Sequence, residues 1–155
     1  MSTINISVAD DDVLQAINSM LDKSVDLSPA MLEITAIMES AAEGAFIDEA
    51  DPATGKAWEK LSDKTTIPWR AESNHWPGKI LQVSGGLAGS IETDHGKDFA
   101  LIGSGKVQAA MLFFGGKTSA RSMIPGVEIP GRRFIGLSAS EQQDAVKIIR
   151  DFLAE

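Results

Sequence analysis

Ile102-Gly103-Ser104-Gly105-Lys106 comes nearest, in this 155-residue chain, to a phosphate-binding loop, and it fails at both ends. Such a loop needs a glycine five residues before Gly105, where Ala100 stands. It also needs Ser or Thr after the lysine to hold magnesium, where Val107 stands. Ser84-Gly85-Gly86-Leu87-Ala88-Gly89 lacks the strand and fingerprint of a dinucleotide site. The two histidines, His75 and His95, have no second His or Cys at ligand spacing, so zinc is not indicated. Asp10-Asp11-Asp12 has no glycine or distal glutamate at calcium-loop spacing and reads as helix-start acids. Ser90, Asp94 and His95 supply the residue types of a nucleophilic triad, but His95 falls in an expected hairpin tip without a preorganised pocket. No catalytic residue, metal site or cofactor is therefore assigned. If the chain were instead a small ligand-binding or enzymatic domain, Ser90, Asp94 and His95 would mark its site.

Arg132 and Arg133 remain, inside Ile129-Pro130-Gly131-Arg132-Arg133-Phe134-Ile135-Gly136. Two arginines on a chain of net charge −8 do not make the basic stripe of a nucleic-acid reader. No nucleophile, base or metal partner accompanies them. The motif reads as a structural joint: Pro130-Gly131 shapes the chain, Phe134 and Ile135 anchor it, and Gly136 releases it. At least one arginine is expected to pair with acids, within the subunit or across a subunit boundary.

These residues must be positioned by a single domain, residues 1–155. Apolar residues make up 43% and charged residues 23%, as in a globular chain with its own core. No apolar run is long enough to span a bilayer, and the first residues carry no secretory signature. The absence of cysteine excludes disulfides and fits the cytoplasm. Charge is unevenly spread. Residues 1–55 hold eleven acids against Lys23 alone, whereas the remainder holds eleven acids and thirteen bases. The acidic part is either a solvated helical face or a surface that repels phosphate or meets a basic partner.

The spacing predicts a short strand over 4–8 and a helix over 12–23. Leu27, Met31, Ile34, Met38, Ala41 and Ala45 recur at steps of four and three, predicting a helix that Ser28 caps and that runs to about Glu49. Residues 50–79 form a long irregular loop bearing Trp58, Trp69 and Trp76, with at most a short helix near 62–66. Residues 80–155 supply a short helix or turn near 83–88 and strands over 89–93 and 98–103, joined at Asp94-His95-Gly96-Lys97 with Gly96 available for positive φ. A short helix follows, ended by Gly115-Gly116, and Ser138 to Glu141 has capping-box spacing before a last helix. The fold class is α+β, with helices at both ends on a small, mostly antiparallel sheet.

Five motifs in order carry a family resemblance. They are Gly55-Lys56-Ala57-Trp58, Leu61 to Thr65, Ile80 to Ile91, Ala109 to Gly116, and Ile129 to Ser138. This order resembles the phage virion morphogenesis, or tail completion, family of Mu-like phages and prophages. The chain departs from that pattern at Ala109 to Leu112, before the Phe-Gly element, and at Arg133, where the family has Pro. The resemblance implies a non-enzymatic virion protein acting in head–tail joining or tail completion. It further implies a homo-oligomeric ring, commonly of six subunits, through which DNA passes without specific binding, and junction or tail proteins as partners. A tail terminator capping the tube is the alternative within the class. Candidate contacts are Trp58, Trp69, Trp76, Phe113, Phe114, Arg132 and Arg133, with core packing the other reading for the phenylalanines and Trp58. An acidic lumen would draw on Asp10, Asp11, Asp12, Asp22, Glu33, Glu39 and Glu43.

Overall fold

The long helix announced by the four-three spacing is present as α1, Ser28–Asp48, in a computed structural model that describes residues 15–16, 18–22, 26–62, 78–122 and 124–154. Of the earlier expected helix, residues 15–16 and 18–22 are helical and exposed, and the rest lies outside the described residues, as does the expected strand over 4–8. Ser28 does not cap α1. The Asp26 carboxylate accepts the Ser28 N–H at 3.0 Å and its hydroxyl at 2.6 Å, placing the negative charge at the positive end of the helix. The expected stripe is wider than predicted: Ala30, Ala42, Thr35 and Phe46 are buried along with Met31, Ile34, Ala41 and Ala45. The width follows from packing on two sides, against a hairpin and against the C-terminal helix. Thr35 tolerates burial because its hydroxyl donates to the Leu32 carbonyl at 2.7 Å.

Glu49 ends α1 in the left-handed conformation, and the chain turns back at once. Asp51 accepts the Ala53 N–H through its side chain and the Gly55 N–H through its carbonyl, and Gly55 supplies a φ of 70°. Ala50 pairs with Ala57, and the Trp58 N–H reaches the Glu49 carbonyl at 2.7 Å. The first part of the expected irregular loop is thus an ordered turn, built by Asp, Pro52 and Gly at the positions a turn requires. Residues 63–77, with Trp69 and Trp76, lie outside the described residues.

Strands β1 (Ile91–His95) and β2 (Ala100–Ser104) pair antiparallel with Ile91 opposite Ser104 and His95 opposite Ala100. The loop is Gly96 to Phe99, two residues later than expected, closed by the Gly96 N–H on the Phe99 carbonyl. Gly96 does not adopt positive φ. A Cβ there would crowd the folded-back Phe99 ring, so glycine lets that ring lie over the turn. The hairpin is tied to α1 through the Leu27 N–H and the Lys97 carbonyl at 2.9 Å. Helix α2 (Ala109–Phe114) ends at Gly115 as expected, with a φ of 74°. Strands β3 (Gly116–Lys117) and β4 (Glu128–Ile129) form a second antiparallel ribbon, so the strands make two ribbons and not one sheet. Helix α3 (Ala139–Ala154) begins at the predicted capping box: Glu141 accepts the Ser138 N–H at 2.7 Å, and Ser138 Oγ accepts the Glu141 N–H at 3.3 Å. It packs along α1.

Candidate docking surface

Five aromatic rings run from the core to the surface. Trp58 meets Phe46 edge-on at 5.8 Å, Phe46 lies 5.5 Å from Phe134, and Phe113 stands edge-on to Phe134 at 5.4 Å. Phe114 completes the series, edge-on to Phe113 at 4.9 Å. Such edge-to-face pairs add about 0.5–1.5 kcal/mol each to the burial term. Phe134 is 1% exposed, Phe113 is half-buried and Phe114 is 77% exposed, so the two phenylalanines of α2 divide between core edge and surface.

The double-arginine motif holds this row in place. Burial alternates along this stretch: Arg132 and Phe134 are buried and Arg133 is exposed. Arg132 Nε donates to the Glu59 carbonyl at 2.9 Å and Nη2 to the Lys60 carbonyl at 3.3 Å. Its backbone N–H reaches the Leu112 carbonyl at 2.9 Å. Burial pushes the Arg132 pKa down, opposed by the nearby Glu59 carboxylate, yet a guanidinium starts so high that it stays charged. The buried arginine therefore gives its two side-chain hydrogen bonds to main-chain carbonyls and not to a carboxylate, because residues 59–60 pass beside it with those acceptors in need of donors. Arg133 keeps its guanidinium carbon 6.0 Å from the Phe113 ring, while its carbonyl accepts the Trp58 indole N–H at 2.8 Å. Gly131 allows the close passage: a Cβ there would lie 2.7 Å from the Phe114 carbonyl oxygen.

The candidate contacts thus separate by position. Trp58 and Arg132 are buried in the subunit's own core, Phe113 is half-buried, and Phe114 and Arg133 are exposed. Asp22, Glu33, Glu39 and Glu43 are exposed, and Asp10 to Asp12 lie outside the described residues. Val107, 98% exposed, and Ile47, 68% exposed, were not singled out in the sequence. Their only signal was an apolar type off the core-facing spacing.

The triad residues do not converge. Ser90 precedes β1 and His95 ends it, so about 3.3 Å of rise per residue keeps them far apart. The Ser90 hydroxyl donates to the Leu87 carbonyl at 2.7 Å and meets Ser104 Oγ at 2.7 Å. The two glycine-rich stretches do share a cleft, through Gly86, Gly89, Gly105 and Lys106. Its Gly86, Gly89 and Lys106 N–H groups bond within the chain, and Glu92 stands in the same cleft, which disfavours an anion. Among the described residues, no group of three or more His, Cys, Asp or Glu could hold a metal. No helix among them is long and apolar enough to cross a membrane.

The sequence pattern of the phage virion morphogenesis family matches residues 8–154. The chain is 42% identical over 117 residues to the putative capsid assembly protein G of Escherichia phage Mu, covering 76% of this chain and 73% of the relative. It is 31% identical over 125 residues to the Mu-like prophage FluMu G protein 1 of Haemophilus influenzae, covering 79% and 77%. A second FluMu protein, G protein 2, is 26% identical over 141 residues, covering 91% and 88%. No solved structure matches.

Proposed function

The chain belongs to the phage virion morphogenesis family, and from that premise we propose that it acts in head–tail joining or tail completion as a ring of identical subunits around the DNA channel. Membership makes it a protein of phage particle assembly, and the similar protein G of phage Mu is named for capsid assembly. The observation that carries the finer reading is the surface of the isolated subunit. Its core is closed, yet Val107, Phe114 and Ile47 remain outside it, a pattern that marks surfaces to be covered. A ring supplies that cover through heterologous contacts between unlike patches. Asp22 and Glu33, exposed on the acidic N-terminal part, are the acids proposed for the channel wall, where like charge keeps DNA phosphate from sticking. Glu39 and Glu43 line an apolar cleft, a position better suited to a subunit boundary than to an open wall. Phe114 and Arg133 are proposed as contacts. Trp58 and Arg132 support them from within.

Electron microscopy of particles produced without this protein tests the reading. Filled heads beside separate, unjoined tails are expected. Complete particles, or only empty and misshapen heads, would overturn it, and separate tails of irregular length would favour a terminator instead.

A further inference from the structure

Two exposed patches of this chain are complementary in polarity and charge. The first is a cleft of about 380 Å³ between the second half of α1 and the turn at 88–90. Phe46, Ile91 and the largely exposed Ile47 give it an apolar lining, and Glu39 and Glu43 are exposed along it. Those carboxylates are four residues apart on one helix, so their Cβ atoms lie about 5–6 Å from each other on the same side. The second patch is the outer face of α2 together with the turn that leads into it. Val107, Met111 and Phe114 recur there at steps of four and three and are all exposed. Lys106 is exposed at one end, and exposed Arg133 stands beside Phe113 at the other. Residues 99–127 hold Lys106, Lys117 and Arg121 and no acid, whereas residues 1–55 hold one base.

We infer that the α2 face of one copy docks in the α1 cleft of a second copy, with Phe114 entering between Ile47 and Ile91 and with Lys106 and Arg133 reaching Glu43 and Glu39. The occupant is identified by charge: an acid-lined apolar cleft selects an apolar stripe flanked by cations, and the chain carries one. Because the two surfaces are unlike, each copy offers both halves of the joint and the contact propagates head to tail, which closes a ring if the rotation per subunit allows it. Apolar burial supplies the affinity, and the charge pairs fix which surfaces meet. This inference rests on the homo-oligomer reading above.

The chain has no cysteine, so Ile47→Cys and Phe114→Cys introduce the only thiols. The full chain carrying both is treated with a short bis-maleimide and resolved by denaturing electrophoresis, and self-association of the unlabelled protein is followed by sedimentation velocity. A ladder of covalent multimers is expected. An equal mixture of the two single variants should give a covalent dimer of one chain of each kind. Glu39→Lys with Glu43→Lys should weaken self-association about tenfold or more, and Lys106→Glu with Arg133→Glu in the same chain should restore it. Self-association without the Ile47–Phe114 link, or without rescue, would overturn this interface and leave the ring reading standing. A chain that stays monomeric at every concentration and never cross-links would overturn both.

Discussion

Replacing Arg132 by alanine removes the two side-chain hydrogen bonds that bind residues 59–60 to the aromatic row, along with the two methylenes of its buried stem beyond Cβ. Hydrogen bonds from a charged donor are worth about 1.5–3 kcal/mol each, and the longer one, at 3.3 Å, belongs at the weak end. The stem adds about 0.8 kcal/mol per methylene. Against this stands the recovered cost of taking a guanidinium out of water, several kcal/mol for a buried ion. The net expectation is a loss of about 2–4 kcal/mol. Arg132→Met keeps the stem and drops the donors, so it should lose about 1–2 kcal/mol, mostly from two orphaned carbonyls. Arg133→Ala keeps the carbonyl that accepts the Trp58 indole and loses a cation–π contact at the outer limit of its range, for a change below about 1 kcal/mol. Urea unfolding followed by tryptophan fluorescence measures all three. With a slope of about 1–3 kcal/mol per molar, Arg132→Ala should lower the midpoint by about 1 M or more and Arg133→Ala by much less. Equal shifts for the two alanine variants, or a larger one for Arg133→Ala, would refute the division of labour between them.

Gly131→Ala sets a Cβ against the Phe114 carbonyl oxygen at 2.7 Å and should destabilise by about 3 kcal/mol or more in the same assay. Gly96→Ala meets only the partly exposed Phe99 ring, which can swing away, so about 1 kcal/mol is expected. Ser138→Ala opens the capping box and should lower stability by about 1 kcal/mol, read as a drop in the thermal midpoint. The Asp26 carboxyl is held below its ordinary value of 3.8 by the Ser28 hydroxyl first and the Ser28 N–H second. Its contribution is therefore complete above that value and lost as pH falls through the lower folded-state pKa. Wild type should exceed Asp26→Asn in stability at neutral pH, and the gap should close on acidification below about pH 3.8. A gap that does not change with pH would contradict this.

The sequence by itself settled what neighbouring residues settle among themselves. The step of four and three from Leu27 to Ala45 requires a helix with one covered side, Ser138 to Glu141 starts another, and Gly115 stops a third. Each signal acts within a turn or two of backbone, where spacing is geometry. The α+β class and the order of elements followed from them. The family resemblance needed no tertiary information either, because it rests on motifs in order. Asp26, and not Ser28, at the head of α1 was less legible, since either side chain can accept the same kind of hydrogen bond and only the entering chain direction decides.

Tertiary structure decided whatever depends on a partner far along the chain. Arg132 and Arg133 are chemically identical neighbours, and nothing in the local stretch says which of the two turns inward. Glu59 and Lys60, more than seventy residues away, offer the carbonyls that draw Arg132 inward, and Phe134 follows it into the core. Trp58 reads as a loop tryptophan until the turn at Asp51 to Gly55 carries it back onto Phe46. Phe113 and Phe114 differ only in which one faces Phe134. Ile47 and Val107 are left uncovered because the core closes without them, a property of the whole packing that no local stretch encodes.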